Sequence, residues 1–158
     1  MGFINRYTKS DFFNYYYSEE FNEGSNPIIF AVGKTESSGL ITKLDSQGNI
    51  LWERLLDFGK GLTATVKKII RVHNYGNDRI QPIYIAHVIV GDFHVLYAFD
   101  SEGKNKWVKQ LEWKEIDVEL LLVPSMSNIS FYVCVSDKEN TELLKYPQIF
   151  NFDYTCSL

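Results

Sequence analysis

Two stretches of this chain repeat each other at a fixed distance. Asp45, Ser46, Gly48 and Trp52 recur as Asp100, Ser101, Gly103 and Trp107, each 55 positions later. Four identities at one offset are hard to obtain by chance, so residues 40–55 and 95–111 read as two copies of one unit. A third, partial copy starts at Gln148-Ile149-Phe150-Asn151-Phe152-Asp153, 53 positions past Asp100, with no Gly or Trp following. A chain built on such a period stacks similar supersecondary units, none of which buries its apolar face alone.

Each copy has a local physical reading. Leu40, Thr42 and Leu44 alternate with Ile41 and Lys43, the two-residue period of a strand. Asp-Ser-x-Gly is then turn chemistry. The carboxylate can accept from backbone N–H groups a few residues on, and the glycine takes the positive-φ position that closes a hairpin. A second strand follows, Ile50–Leu55 in one copy and Lys106–Leu111 in the other. The competing reading makes Asp45 and Asp100 a pair of catalytic or metal-binding carboxylates; turn aspartates are far commoner. Trp52 and Trp107 read as packing wedges between sheets, with a ligand platform as the alternative.

The phrase Lys43-Leu44-Asp45-Ser46-Gln47-Gly48-Asn49-Ile50-Leu51-Trp52 resembles the blade repeat of the PQQ-like, or quinoprotein-like, β-propellers. It is nearest to the variant common in large bacterial surface and assembly proteins. The second copy departs from it by Ala98 in place of Lys and Lys104 in place of Asn. The resemblance implies an all-β fold of four-stranded antiparallel propeller-type blades, about three with the last incomplete, in an open or partial propeller. It carries little about activity, because function lives in sites grafted on folds. PQQ-using relatives are far longer and need a site at the axis of a closed ring, so no cofactor is implied.

In that register the chain reads as one β domain, residues 1–158, with repeat units at about 12–56, 62–112 and 116–153. The first unit holds strands at Phe12–Glu20, Pro27–Lys34, Gly39–Asp45 and Asn49–Leu56. The second holds Thr65–Val72, Pro82–Val90, His94–Asp100 and Lys106–Glu112. The third holds Asp117–Pro124, Ile129–Ser136 and a last strand near Gln148–Asp153. One stretch supports two readings. Leu62, Val66, Ile69 and Ile70 sit at helical spacing behind Gly59-Lys60-Gly61-Leu62-Thr63-Ala64, which fits the dinucleotide fingerprint G-x-G-x-x-A. Leu62, Ala64, Val66, Ile70 and Val72 also alternate as a strand.

Composition narrows the function classes. Ten Tyr, eleven Phe and three Trp make 15% of the chain aromatic, a bias toward pleated, half-buried surfaces. Sixteen Lys and Arg against twenty Asp and Glu give a net charge of -4, which lacks the footprint of a nucleic-acid binder. The early charges of Met1–Asp11 argue against a Sec signal, and no apolar run has membrane-spanning length. The expected location is the cytoplasm, or outside it by a route without a Sec signal. Cys134 and Cys156 are then reduced, the first as a small buried hydrophobe.

A reaction centre is not visible. His73, His87 and His94 form no H-x-x-x-H and pair with no Cys at zinc spacing, so no metal site is expected. His87 falls inside the apolar run Ile83–Val90 and reads as a hydrogen-bonded core or edge residue. There is no G-x-S-x-G elbow and no P-loop. Glu19, Glu20 and Glu23, amid Asn22, Gly24, Ser25 and Asn26, read as a solvated strand end and turn. Phe12, Phe13, Tyr15, Tyr16 and Tyr17 form the candidate interaction surface. Alternation would set Phe13, Tyr15 and Tyr17 on one side and Phe12 and Tyr16 on the other, either inside the fold or as a docking face.

The length is a little short of three repeats, while closed propellers use four to eight blades. The expectation is a non-catalytic interaction or scaffold module. Its open sheets would be completed by homo-oligomerisation, a protein partner or further sequence, as part or cargo of a larger bacterial assembly. The second expectation is a lectin-like propeller that binds a small ligand or glycan at its repeated tryptophans. An enzyme ranks last.

Overall fold

The computed structural model describes residues 14–23, 26–59, 61–76, 79–115, 119–124, 130–136 and 141–147. Among these residues the fold is all-β, with no helix. Eleven strands follow in order: β1 (Asn14–Glu23), β2 (Asn26–Lys34), β3 (Gly39–Asp45), β4 (Ile50–Leu56), β5 (Ala64–Gly76), β6 (Arg79–Val90), β7 (Phe93–Asp100), β8 (Asn105–Lys114), β9 (Glu119–Pro124), β10 (Ser130–Ser136) and β11 (Thr141–Pro147). They form three sheets, ordered β1-β2-β3-β4, β5-β6-β7-β8 and β9-β10-β11, and none closes on itself among the described residues. Every neighbour in a sheet is also a neighbour in sequence, so each sheet is a meander of hairpins.

The chain divides into two compact units, Met1–Lys68 with Val88–Gly91 and Ile69–His87 with Asp92–Leu158. In the first unit, β2 and β3 lie inside their sheet and carry buried residues on both faces. Ile28, Phe30 and Val32 of β2 are buried, as are Leu40, Ile41 and Leu44 of β3. Phe21 meets Phe30 edge to face, with centroids 5.9 Å apart. Gly39 stands where the start of β5 comes close. A Cβ there would lie 3.0 Å from Val66 Cγ2 and 3.6 Å from Ala64 Cβ. Ala64 N–H donates to the Ser37 carbonyl at 2.8 Å, and Gly91 N–H to the Thr63 carbonyl at 2.8 Å.

In the second unit, Ile83, Ile85, Leu96, Ala98 and Leu111 of β6, β7 and β8 share a core with Leu122, Phe131, Val133 and Val135 of β9 and β10. Trp107, Trp113 and Leu120 pack against its margin. This is sheet on sheet, each contributing one inner face. Residues 83–90 of β6 are buried without interruption, in keeping with an apolar run that only His87 breaks.

Two local expectations change, and one choice between readings is settled. Of the two readings of Leu62–Val72 the strand expected at Thr65–Val72 is the one formed, and the helical alternative is overturned: Ala64–Gly76 is β5, with Ala64, Val66, Ile69, Ile70 and Val72 buried. Gly59 (φ 110) and Gly61 (φ 81) form the loop leading into that strand, so no helix N-terminus stands there to receive a phosphate. A strand not expected from the sequence, β11, pairs with β10 from Ser136↔Thr141 to Ser130↔Pro147. Its basis is local: four polar residues, Asp137-Lys138-Glu139-Asn140, separate the two strands, a length suited to a hairpin. The strand expected near Gln148–Asp153 lies outside the described residues. In β1 the pairing runs Tyr15↔Gly33 and then Tyr17↔Val32, so a bulge interrupts the alternation expected through Tyr15, Tyr16 and Tyr17.

Candidate functional site

The recurring sequence unit is a recurring piece of geometry. In the β3–β4 hairpin, Asp45 N–H donates to the Asn49 carbonyl at 3.0 Å and Gly48 N–H to the Asp45 carbonyl at 3.0 Å. In the β7–β8 hairpin, Asp100 N–H donates to the Lys104 carbonyl at 3.1 Å and Gly103 N–H to the Asp100 carbonyl at 2.9 Å. Gly48 and Gly103 take φ 82 and 77, a region open to glycine and strained for residues with a Cβ. Asp45 Oδ1 accepts the N–H groups of Gln47 (2.9 Å) and Asn49 (2.8 Å). Asp100 Oδ1 accepts those of Glu102 (3.1 Å) and Lys104 (2.9 Å). Both aspartates are thus spent on closing their own turns.

The second carboxylate oxygen differs between copies in a compensating way. Asp45 Oδ2 accepts the Asn49 side-chain amide at 2.8 Å. The residue at that position in the other copy is Lys104, and there Lys106 reaches Asp100 Oδ2 at 2.8 Å instead. The Asn49 amide, with the backbone N–H groups of the turn, holds the Asp45 carboxyl below its ordinary value. Burial pushes the Asp100 carboxyl up; the Lys106 ammonium and the N–H groups of Lys104 and Glu102 outweigh it, and the net shift is downward.

Past each turn the ladder slips by one residue at the same place. Lys43↔Trp52 gives way to Leu44↔Ile50, and Ala98↔Trp107 to Phe99↔Asn105. The extra residues, Leu51 and Lys106, are equivalent positions of the repeat, so the bulge is part of the repeating unit.

The two tryptophans are used differently. Phe30 and Trp52 both flank Lys43 across β3 in one row of the sheet. Strands two apart are about 9–10 Å from each other, yet the rings of Phe30 and Trp52 approach to 5.6 Å, tilted at 59°. They therefore lean together over β3, and Lys43 is only 5% exposed. In the second copy Ala98 replaces Lys43. Trp107 there stacks on Phe131 of the following sheet, centroids 6.4 Å apart at 16°.

The remaining candidates sort as follows. His87 lies against His94, Nε2 to Nδ1 at 2.9 Å with ring centroids 5.1 Å apart, and both side chains are buried. One imidazole donates and the other accepts. The pairing was not legible from the spacing alone, since it needs the hairpin through Gly91 and Asp92 to bring positions seven apart together. Glu19, Glu20 and Glu23 belong to β1, opposite Phe30, Ile29 and Asn26. Tyr15, Tyr16 and Tyr17 lie in β1, while Phe12 and Phe13 fall outside the described residues. Cys134 is a half-buried free thiol on β10, and Cys156 is outside the described residues. Among the described residues no group of three or more His, Cys, Asp or Glu is arranged to hold a metal ion. No helix among them is long and apolar enough to cross a membrane. No family model, curated protein or solved structure matches this chain.

Proposed function

We propose that this chain is a non-catalytic, β-propeller-like interaction or scaffold module that does its work joined to another protein surface. The observation that carries the reading is the repeated hairpin. Turn, capping aspartate, positive-φ glycine, bulge and tryptophan recur together in two four-stranded sheets. Blade-like units of this kind are stable in arrays, where each sheet covers the next. The stack of Trp107 on Phe131 is such a cover between successive sheets. Both repeat tryptophans have a ring neighbour within the protein, which favours packing over a sugar platform.

Open sheets have free edges, and edges of this kind pair with other chains unless they are blunted. Completion by a second copy, a partner or further sequence follows, in a role such as part or cargo of a larger bacterial assembly. Light scattering with small-angle X-ray scattering at micromolar concentration tests this. The expected result is a defined assembly or concentration-dependent association; a compact, well-folded monomer at all concentrations refutes it.

A further inference from the structure

Among the described residues the buried polar or charged side chains are Thr42, Lys43, His87 and His94, and the two histidines lie against each other. His87 follows Ile85 by two residues in β6, and His94 precedes Leu96 by two in β7. Alternation therefore sets both on the face that carries the core of Ile83, Ile85, Leu96 and Ala98. Their facing atoms, His87 Nε2 and His94 Nδ1, stand 2.9 Å apart. At that distance one nitrogen carries the hydrogen and the other is bare. The bond survives if one imidazole is charged. With both charged, two N–H groups and two like charges meet, and the bond is lost.

The surroundings do not favour that second charge. In β5, alternation from Ile70 and Val72 sets Lys68 on the same face, and in β8 Lys109 stands opposite Leu96. Glu112 falls between Leu111 and Trp113 and takes the other face. The core side chains of β9 and β10 are apolar, with Glu119 opposite Ser136 and off their row. In β11, Glu142 pairs with Val135. The backbone beside His94 is also irregular. Phe93↔Lys114 gives way to Val95↔Gln110, so four positions of β8 span two of β7. Glu115 N–H, donating to the Asp92 carbonyl at 2.7 Å, and Lys114 Nζ, 5.6 Å from the Phe93 ring centroid, tie that end of the hairpin instead. It can give way while the ladder from Val95 to Ala98 stays paired.

We propose that the His87–His94 pair is an acid-released latch of the β6–β7 hairpin. One shared hydrogen holds His94 to the core, and the second proton of mild acid parts the rings and frees the start of β7. Two free imidazoles take up two protons around pH 6.5, and the intact pair takes at most one. The opened and unfolded states thus bind protons in excess as pH falls. The latch is whole above about pH 6.5 and weakens below it.

Urea unfolding of the full chain between pH 7.5 and pH 5 compares wild type, His73→Gln and the double variant His87→Leu/His94→Leu. With one proton in excess, the wild-type unfolding constant rises about 30-fold over that range. His73→Gln should keep the rise, and the double variant should change by less than about threefold. Hydrogen exchange on wild type, corrected for its intrinsic pH dependence, needs no variant and serves if the double variant does not fold. Residues 93–95 should lose protection at pH 5 while β2 and β3 keep theirs. A wild-type constant flat in pH, a rise that goes with His73, or an undiminished rise in the double variant overturns the proposal. So does protection lost evenly over β2, β3 and β7.

Discussion

Replacing Asp100 by alanine should unfold the protein earlier, by an amount the turn geometry sets. Asp100 Oδ1 accepts two backbone N–H groups at 3.1 and 2.9 Å, and Oδ2 pairs with Lys106 at 2.8 Å. Glu102 and Lys104 are exposed, so their N–H groups turn to water when the carboxylate goes. Each bond then contributes its net value of about 0.5–1.5 kcal/mol. The ion pair, with Lys106 39% exposed, adds at most about 1 kcal/mol. Asp100→Ala should therefore cost about 1–4 kcal/mol, a fall in Tm of roughly 3–15 °C for a chain of this size. Asp100→Asn keeps an acceptor oxygen and should cost less, and Lys106→Met removes the ion pair alone.

The pH dependence gives a second readout. The folded Asp100 carboxyl titrates below its ordinary value. Its stabilising contribution is thus complete above that value and is lost as pH falls through the folded one. The advantage of wild type over Asp100→Asn should hold from pH 7 to about pH 5 and shrink to nothing in stronger acid. Urea unfolding followed by tryptophan fluorescence across that range measures both effects. An Asp100→Ala protein within about 0.5 kcal/mol of wild type, or an Asp–Asn difference that persists in acid, would show that the repeat aspartate is not a turn clamp.

Other substitutions address the core around the repeat. Trp107→Ala removes the ring stacked on Phe131; for a half-buried side chain about 2–3 kcal/mol is expected, below the 3–5 of a fully buried tryptophan, in the same urea assay. Ala98→Lys, the exchange that would make the second copy resemble the first, puts an ammonium into a core containing Leu96, Leu111 and Phe131. It should abolish cooperative thermal unfolding, because a charge buried among apolar side chains costs several kcal/mol. His87→Leu and His94→Leu should each cost about 1–3 kcal/mol by removing half of a buried hydrogen bond. The double variant should lose less than the sum, which a double-mutant cycle on denaturation midpoints reads directly.

Hairpins were legible in the sequence wherever the determinants were local. Asp45-Ser46-Gln47-Gly48 and Asp100-Ser101-Glu102-Gly103 specify their turns within five residues, through one carboxylate and one positive φ. The alternation on either side then fixes which strands they join. Features that depend on the partner strand were not legible. That Tyr15 and Tyr17 oppose consecutive residues of β2 is a property of the ladder, and no period in β1 announces it. The His87–His94 contact requires the β6–β7 hairpin to exist first. Lys43 reads in isolation as the exposed member of an alternating strand; its burial arises because rings two strands apart meet above it.

Lys43 also explains why equal sequence positions acquired unequal uses. In the first copy a buried Lys43 stands between Phe30 and Trp52 in the row, and the two rings meet at 5.6 Å within one sheet. In the second copy Ala98 leaves no stem to cover, and Trp107 turns to Phe131 of the following sheet. Outside the row, the same divergence separates an apolar β4 edge from a polar β8 edge. Solvent-facing positions of an edge strand are ordinarily kept largely polar, since exposed apolar side chains there invite pairing. The first copy departs from that at three positions of one strand, next to a turn and bulge that it shares with the second. The departure therefore falls on side chains that the sheet itself leaves exposed, Ile50, Leu51 and Leu55, where the association proposed above would make a demand that folding does not.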